Sequence, residues 1–132
     1  MKLQKQTKRA KGMTLLELTV VILVLLSLIS ILFVGARAWK KGSDRSACIL
    51  NIRNVQQATR GYQNMHPEAP GCTAADIYSD DGSAFLKTPK CPAGGTYTPV
   101  FSATAFPATG VLAITCDKAT TDDHVPASYS DW

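Results

Sequence analysis

From Leu18 to Ala36 the chain runs for 19 residues without a charge, mostly Leu, Ile and Val. No polar face interrupts this block, so it reads as a helix that is apolar all round and not as one side of a soluble core. At a helical rise of about 1.5 Å per residue it covers about 28 Å, the thickness of a bilayer's hydrocarbon. A cleavable secretory signal would carry a shorter apolar run with a small-residue cleavage motif on its far side. The far end here, Ser30 to Gly35 (SILFVG), offers no such motif.

Beyond the block the period stays helical but becomes one-sided. Arg45, Cys48, Ile52, Val55, Thr59 and Tyr62 recur at three- and four-residue steps, while Asn51, Arg53, Asn54, Gln57 and Arg60 fall largely on other faces. No proline appears before Pro67. The pattern predicts one continuous helix from about residue 14 to about residue 64, roughly 75 Å long, with Gly35 and Gly42 as the places where it would bend or loosen.

After Pro67 the elements become short. Thr73 with Asp76 three residues on predicts an N-capped helix through Tyr78, and Gly82–Leu86 suggests another helical turn. Thr96–Ser102 and Val111–Cys116 read as strands, the first an edge strand because it contains Pro99. The tail from Asp117 is polar and reads as partly disordered, with Tyr129 and Trp132 able to dock on the sheet. The expected fold is α+β: a long N-terminal helix, transmembrane and then amphipathic, carrying a small antiparallel sheet as a headgroup.

Charge changes the picture at the N-terminus. Five of the 14 basic residues (Lys2, Lys5, Lys8, Arg9 and Lys11) lie in the first twelve positions with no acid among them. Without them 9 basic side chains face 10 acidic ones, so the formal charge moves from +4 to −1 and the basic isoelectric point belongs to the leader. Bulk electrostatics therefore give no reason to expect nucleic-acid binding. Arg37, Lys40, Lys41 and Arg45 form a local patch just past the apolar block, best read as a solvated or headgroup-facing helix surface.

Between leader and block stands Gly12-Met13-Thr14-Leu15-Leu16-Glu17. An acid entering a membrane helix costs about 2.5–3.5 kcal/mol at the helix centre and calls for a partner. Together with the basic leader and the apolar run, this stretch resembles the class III signal of type IV pilins and pseudopilins. The resemblance implies cleavage by an inner-membrane prepilin peptidase between Gly12 and Met13, N-methylation of Met13, and pairing of the new amine with Glu17 of a neighbouring subunit. Methionine stands where phenylalanine is commonest in that family, and the family's proline inside the membrane helix, near Val34, is missing. The implied organisation is a removed leader (1–12), a transmembrane assembly helix (13–36), its amphipathic extension (37–65) and a headgroup (66–132). The implied partners are the peptidase, like subunits in a helical filament, an inner-membrane assembly platform and, before assembly, the lipid bilayer. The implied location is the bacterial inner membrane with the headgroup outside the cytoplasm, and then a filament. A weaker likeness is that of Cys91-Pro92-Ala93-Gly94-Gly95 to a turn that opens a terminal hairpin in small pilin-like proteins.

The four cysteines, Cys48, Cys72, Cys91 and Cys116, contain no CxxC pair and have only His66 and His124 as nitrogen companions, so their spacing suggests disulfides in an oxidising compartment and not a metal site. Cys91–Cys116 would clip the hairpin, worth about 3–4 kcal/mol in the chain-entropy model. Cys48–Cys72 would tie the helix to the following loop, with free thiols as the alternative there. Asp80, Asp81, Asp117, Asp122 and Asp123 could offer oxygens to calcium, as in some pseudopilins, but show no EF-hand spacing and read as solvated loop charges. Both histidines read as surface residues. No nucleophile elbow or phosphate loop is present, and the expectation is not an enzyme. Within the filament class a pilus subunit, a secretion pseudopilin and a competence pseudopilin for DNA uptake remain open; Lys87, Lys90 and Lys118 are too few to favour DNA. The competitor from another class is a signal-anchored binding module that keeps its leader.

Overall fold

The structure, a computed structural model, describes Gly12 and residues 14–132. The leader lysines and arginine and Met13 lie outside the described residues. The chain divides into two units, the first ending at Ala38 and the second running from Trp39 to Trp132.

In the first unit every described element is helix α1, which spans Leu15–Met65 in full. Its large apolar side chains from Leu15 to Val34 are between 46% and 82% exposed, and no part of its most apolar stretch is buried. The few polar side chains in the block satisfy themselves. Thr19, Ser27 and Ser30 donate their hydroxyls to the carbonyls of Leu16, Val24 and Leu26 at 2.9, 2.7 and 2.8 Å. Each hydroxyl is thereby satisfied within the helix itself. The helix is long and apolar enough near its N-terminus to cross a membrane.

The second unit has its own core. From α1 it takes Cys48, Ile52, Val55, Gln56 and Thr59, all buried, on the face that the three-and-four spacing marks out. Against them pack Ile77 from a short helix α2 (Ala74–Ile77) and Leu112, Ala113 and Ile114 at the second strand. Asp76 holds the start of α2 by accepting from both the Thr73 N–H and its hydroxyl at 2.7 Å. β1 (Tyr97–Pro99) and β2 (Ile114–Cys116) pair antiparallel, with Tyr97 opposite Cys116 and Pro99 opposite Ile114. In a sheet of two strands both are edges, which accommodates Pro99.

The strands are three residues each, shorter than the sequence pattern suggests, and one backbone bond at either end prolongs the pairing: Val100 N–H to the Ala113 carbonyl at 2.9 Å and Asp117 N–H to the Thr96 carbonyl at 3.1 Å. Gln56 explains why. Its side-chain oxygen accepts from the Ala113 N–H at 2.8 Å and its amide donates to Val111 at 3.3 Å, so a helix side chain takes over the ladder before β2 begins.

Two expectations are corrected. Gly82–Leu86 is not helical: Gly82 adopts a left-handed φ of 81°, and Leu86 returns to form a bridge with Tyr78. The tail is ordered. A 3₁₀ turn at Asp117–Ala119 follows β2, and the Trp132 carbonyl accepts from Arg60 at 3.1 Å and from the Gly110 N–H at 3.3 Å. The Arg53 guanidinium lies 5.4 Å from the Trp132 ring.

Candidate functional site

Two places gather the residues that sequence reasoning singled out, one in each unit. At the head of α1, Gly12 is exposed coil and Thr14 precedes the first helical residue. Glu17 folds back on Thr14: its Oε2 accepts from the Thr14 N–H at 3.0 Å and from the Thr14 hydroxyl at 3.1 Å, while the Glu17 N–H donates to Thr14 Oγ1 at 3.3 Å. This reciprocal capping box closes otherwise unsatisfied donors of the helix N-terminus. Its local signal is the Thr14-x-x-Glu17 spacing. All these bonds to the carboxylate use Oε2. Among the described residues Glu17 has no cationic partner, and the bonds from Thr14 are those its charge receives there.

The second place lies inside the headgroup. Cys48 on α1, Cys91 before a tight turn, Cys116 at the end of β2 and His124 in the C-terminal loop converge with their sulfur and nitrogen atoms all within 4.8 Å of one another. Cys91 Sγ lies 3.4 Å from His124 Nδ1, Cys116 Sγ 3.9 Å from Cys91 Sγ, and Cys116 Sγ 4.0 Å from His124 Nδ1. All four side chains are buried, none more than 7% exposed.

Local sequence delivers each of them. Cys91 starts a turn closed by the Gly94 N–H on its carbonyl at 3.0 Å, with Gly94 at φ 74°. Gly95 follows where an added Cβ would come within 2.6 Å of the Asp117 carboxylate and 3.0 Å of Cys116 Sγ, so the Cys-Pro-x-Gly-Gly stretch needs both glycines. Asp123, at φ 55°, turns the chain so that His124 enters the core, and its carbonyl accepts from Arg45 Nε at 2.9 Å. Tyr97 donates its hydroxyl to Cys48 Sγ at 3.2 Å and receives Asn51 Nδ2 at 3.2 Å. The Asn51 amide is held in turn by the Lys90 carbonyl at 3.1 Å.

Burial dominates the electrostatics of this cluster. It pushes the Cys48 thiol up to about 12, with the Tyr97 hydroxyl pulling the other way, and raises Cys116 and the Tyr97 phenol as well.

Cys91 and Cys116, the expected hairpin clip, are neighbours, with their Sγ atoms 3.9 Å apart. Cys48 lies with them, while Cys72 is buried outside the group. The surface reading of the histidines is corrected. His124 is 2% exposed, and His66 is half-buried with its ring stacked on Tyr62 at 4.3 Å. Of the acids, Asp81 accepts from the Ser83 N–H at 2.9 Å and from the Ser79 and Ser83 hydroxyls, which hold its carboxyl down at about 2. Asp117 caps the Thr96 N–H at 3.0 Å, and Asp122 pairs with Lys41 at 3.8 Å. Among the described residues, the cysteine and histidine group is where three or more metal-capable side chains meet.

Compared with protein-family models, curated proteins and solved structures, the chain matches none.

Proposed function

We propose that this chain is a type IV pilin-like filament subunit, made with a leader that a prepilin peptidase removes between Gly12 and Met13. The observation that carries the reading is the junction at the head of α1. An uninterrupted apolar helix exposed on every side begins beside an acid that has no cation to meet it among the described residues. Lipid covers such a helix in the membrane, and like helices cover it in a filament.

Cleavage after Gly12 creates a positive amine on Met13, close in sequence to Glu17. In a single chain Glu17 accepts from its own Thr14 through Oε2. On assembly, Oε1 is available to the methylated amine of the next subunit, so pairing need not dismantle the cap. In a low-dielectric helix bundle such a pair is favourable only in one geometry, which makes it a device for fixing the stagger between subunits as well as a contact. No catalytic role is assigned to the headgroup.

The test is replacement of Glu17 by Gln in cells that hold the intact assembly system. The leader should still be removed while incorporation into filaments falls by an order of magnitude or more, since about 1.4 kcal/mol per contact is already tenfold. Normal incorporation of Glu17→Gln would refute the reading.

A further inference from the structure

The headgroup core is short of aliphatic bulk. Among the described residues its large buried aliphatic side chains are Ile52, Val55, Ile77, Leu112 and Ile114, and beside them lie Ala113, Gln56, Thr59, the four cysteines and His124. Domains of this size with so little core are usually held by disulfides or by a metal, and the four cysteines are all free thiols.

The distances between the gathered atoms decide what they fit. A tetrahedral zinc with bonds of about 2.3 Å to sulfur and about 2.0–2.1 Å to nitrogen places sulfurs about 3.8 Å apart and sulfur about 3.6 Å from nitrogen. The observed separations are 3.9 Å for Cys91–Cys116, and 3.4 and 4.0 Å from His124 Nδ1 to the two sulfurs. Cys48 lies within 4.8 Å of all three, so a contraction of at most about 1.2 Å brings it to tetrahedral distance. We propose that Cys48, Cys91, Cys116 and His124 bind one Zn²⁺ in a closed structural site that ties the amphipathic part of α1 to β2 and the C-terminal loop.

The surroundings suit that ion. Three thiols that lose their protons to solvent and a neutral imidazole give a site of net charge −1, and all four positions are filled by protein, as in structural and not catalytic zinc centres. The Tyr97 hydroxyl donates to Cys48 Sγ and is itself positioned by Asn51. This is an outer-shell hydrogen bond of the kind that orients a thiolate ligand. Arg45 fixes the Asp123 carbonyl next to His124. A disulfide between any two of the sulfurs would consume two ligands and leave the third thiol beside an unmatched imidazole. The inference rests on the headgroup alone and is independent of the filament reading.

The experiment uses the full chain, extracted from its native membrane in detergent without reductant, with metal content and thiol mass measured on the same sample. About one zinc per chain with all four cysteines reduced is the expected result. Replacing the zinc by Co²⁺ should give thiolate-to-metal charge transfer and the intense visible bands of a tetrahedral site. Tyr97→Phe should keep that stoichiometry and weaken zinc binding by about 10–100-fold. His124→Cys should retain a tetrahedral cobalt spectrum and Cys72→Ser should leave the site untouched. A Cys91–Cys116 disulfide in the native sample, or a reduced chain that takes up no Zn²⁺ or Co²⁺ from an equimolar solution, would overturn it.

Discussion

Along α1, the residues up to Ala38 and those from Trp39 to Met65 share one backbone conformation and differ in what covers their side chains. In the first stretch no apolar side chain between Leu15 and Val34 is less than 46% exposed. In the second, Cys48, Ile52 and Val55 are at most 1% exposed. The first is written in Leu, Ile and Val on all sides and stays exposed among the described residues, as befits a helix long and apolar enough to cross a membrane. The second keeps its apolar residues on one stripe because a folded headgroup supplies the other half of that interface. Helicity alone separates nothing here; the angular spread of apolar residues does.

If the headgroup half is self-sufficient, damage to its core should be large and confined to it. Ile52→Ala removes a fully buried side chain and should cost about 2–5 kcal/mol, a sizeable part of the roughly 5–15 kcal/mol that holds a small domain together. Thermal unfolding of the detergent-solubilised full chain, followed by near-ultraviolet circular dichroism, should show the loss, while membrane insertion stays as in the wild type. The converse substitution, Leu25→Arg, should add about 2.5–3.5 kcal/mol to insertion and leave the headgroup's unfolding within about 0.5 kcal/mol of wild type. Cell fractionation and the same unfolding curve read both effects.

Smaller effects sharpen the headgroup side. Gln56→Ala strips the buried Ala113 N–H of its acceptor at 2.8 Å and should cost about 1–3 kcal/mol, seen as faster hydrogen exchange at Ala113. The smallest concerns Asp76, whose carboxyl is lowered first by the Thr73 hydroxyl and then by the Thr73 N–H. A depressed folded value means that its contribution is complete above the unfolded value of 3.8 and is lost as pH falls through the folded value. The group is largely exposed, so the contribution is about 1 kcal/mol or less. Asp76→Asn should therefore be less stable than wild type at pH 6 and converge with it at strongly acidic pH.

How much of this was legible depended on how local the cause was. The bounds of α1 and its buried face followed from the spacing of Cys48, Ile52, Val55 and Thr59, and α2 followed from Thr73-x-x-Asp76. Each is decided by residues within a turn or two of one another. Gly82–Leu86 misled because its composition allows a helix, whereas the left-handed Gly82 and the bridge from Leu86 to Tyr78 draw it elsewhere. Gln56 carries no local sign of its role, and only the approach of residues 111–113 reveals it as a backbone partner. The thiol cluster was the least legible. Cys91, Cys116 and His124 are separated by 25 and 8 residues, with Cys48 far upstream on the helix, and no local pattern joins them. The available signals were the paired glycines after Cys91, which mark a tight turn, and a histidine in a loop otherwise poor in apolar residues.

The filament reading stands or falls at the N-terminus, and the most direct measurement is intact-mass and N-terminal analysis of the chain recovered from native membranes with an active prepilin peptidase. The account predicts a chain that begins at N-methylated Met13 and lacks residues 1–12. A chain that retains its basic leader under those conditions would contradict it and leave a signal-anchored headgroup in its place.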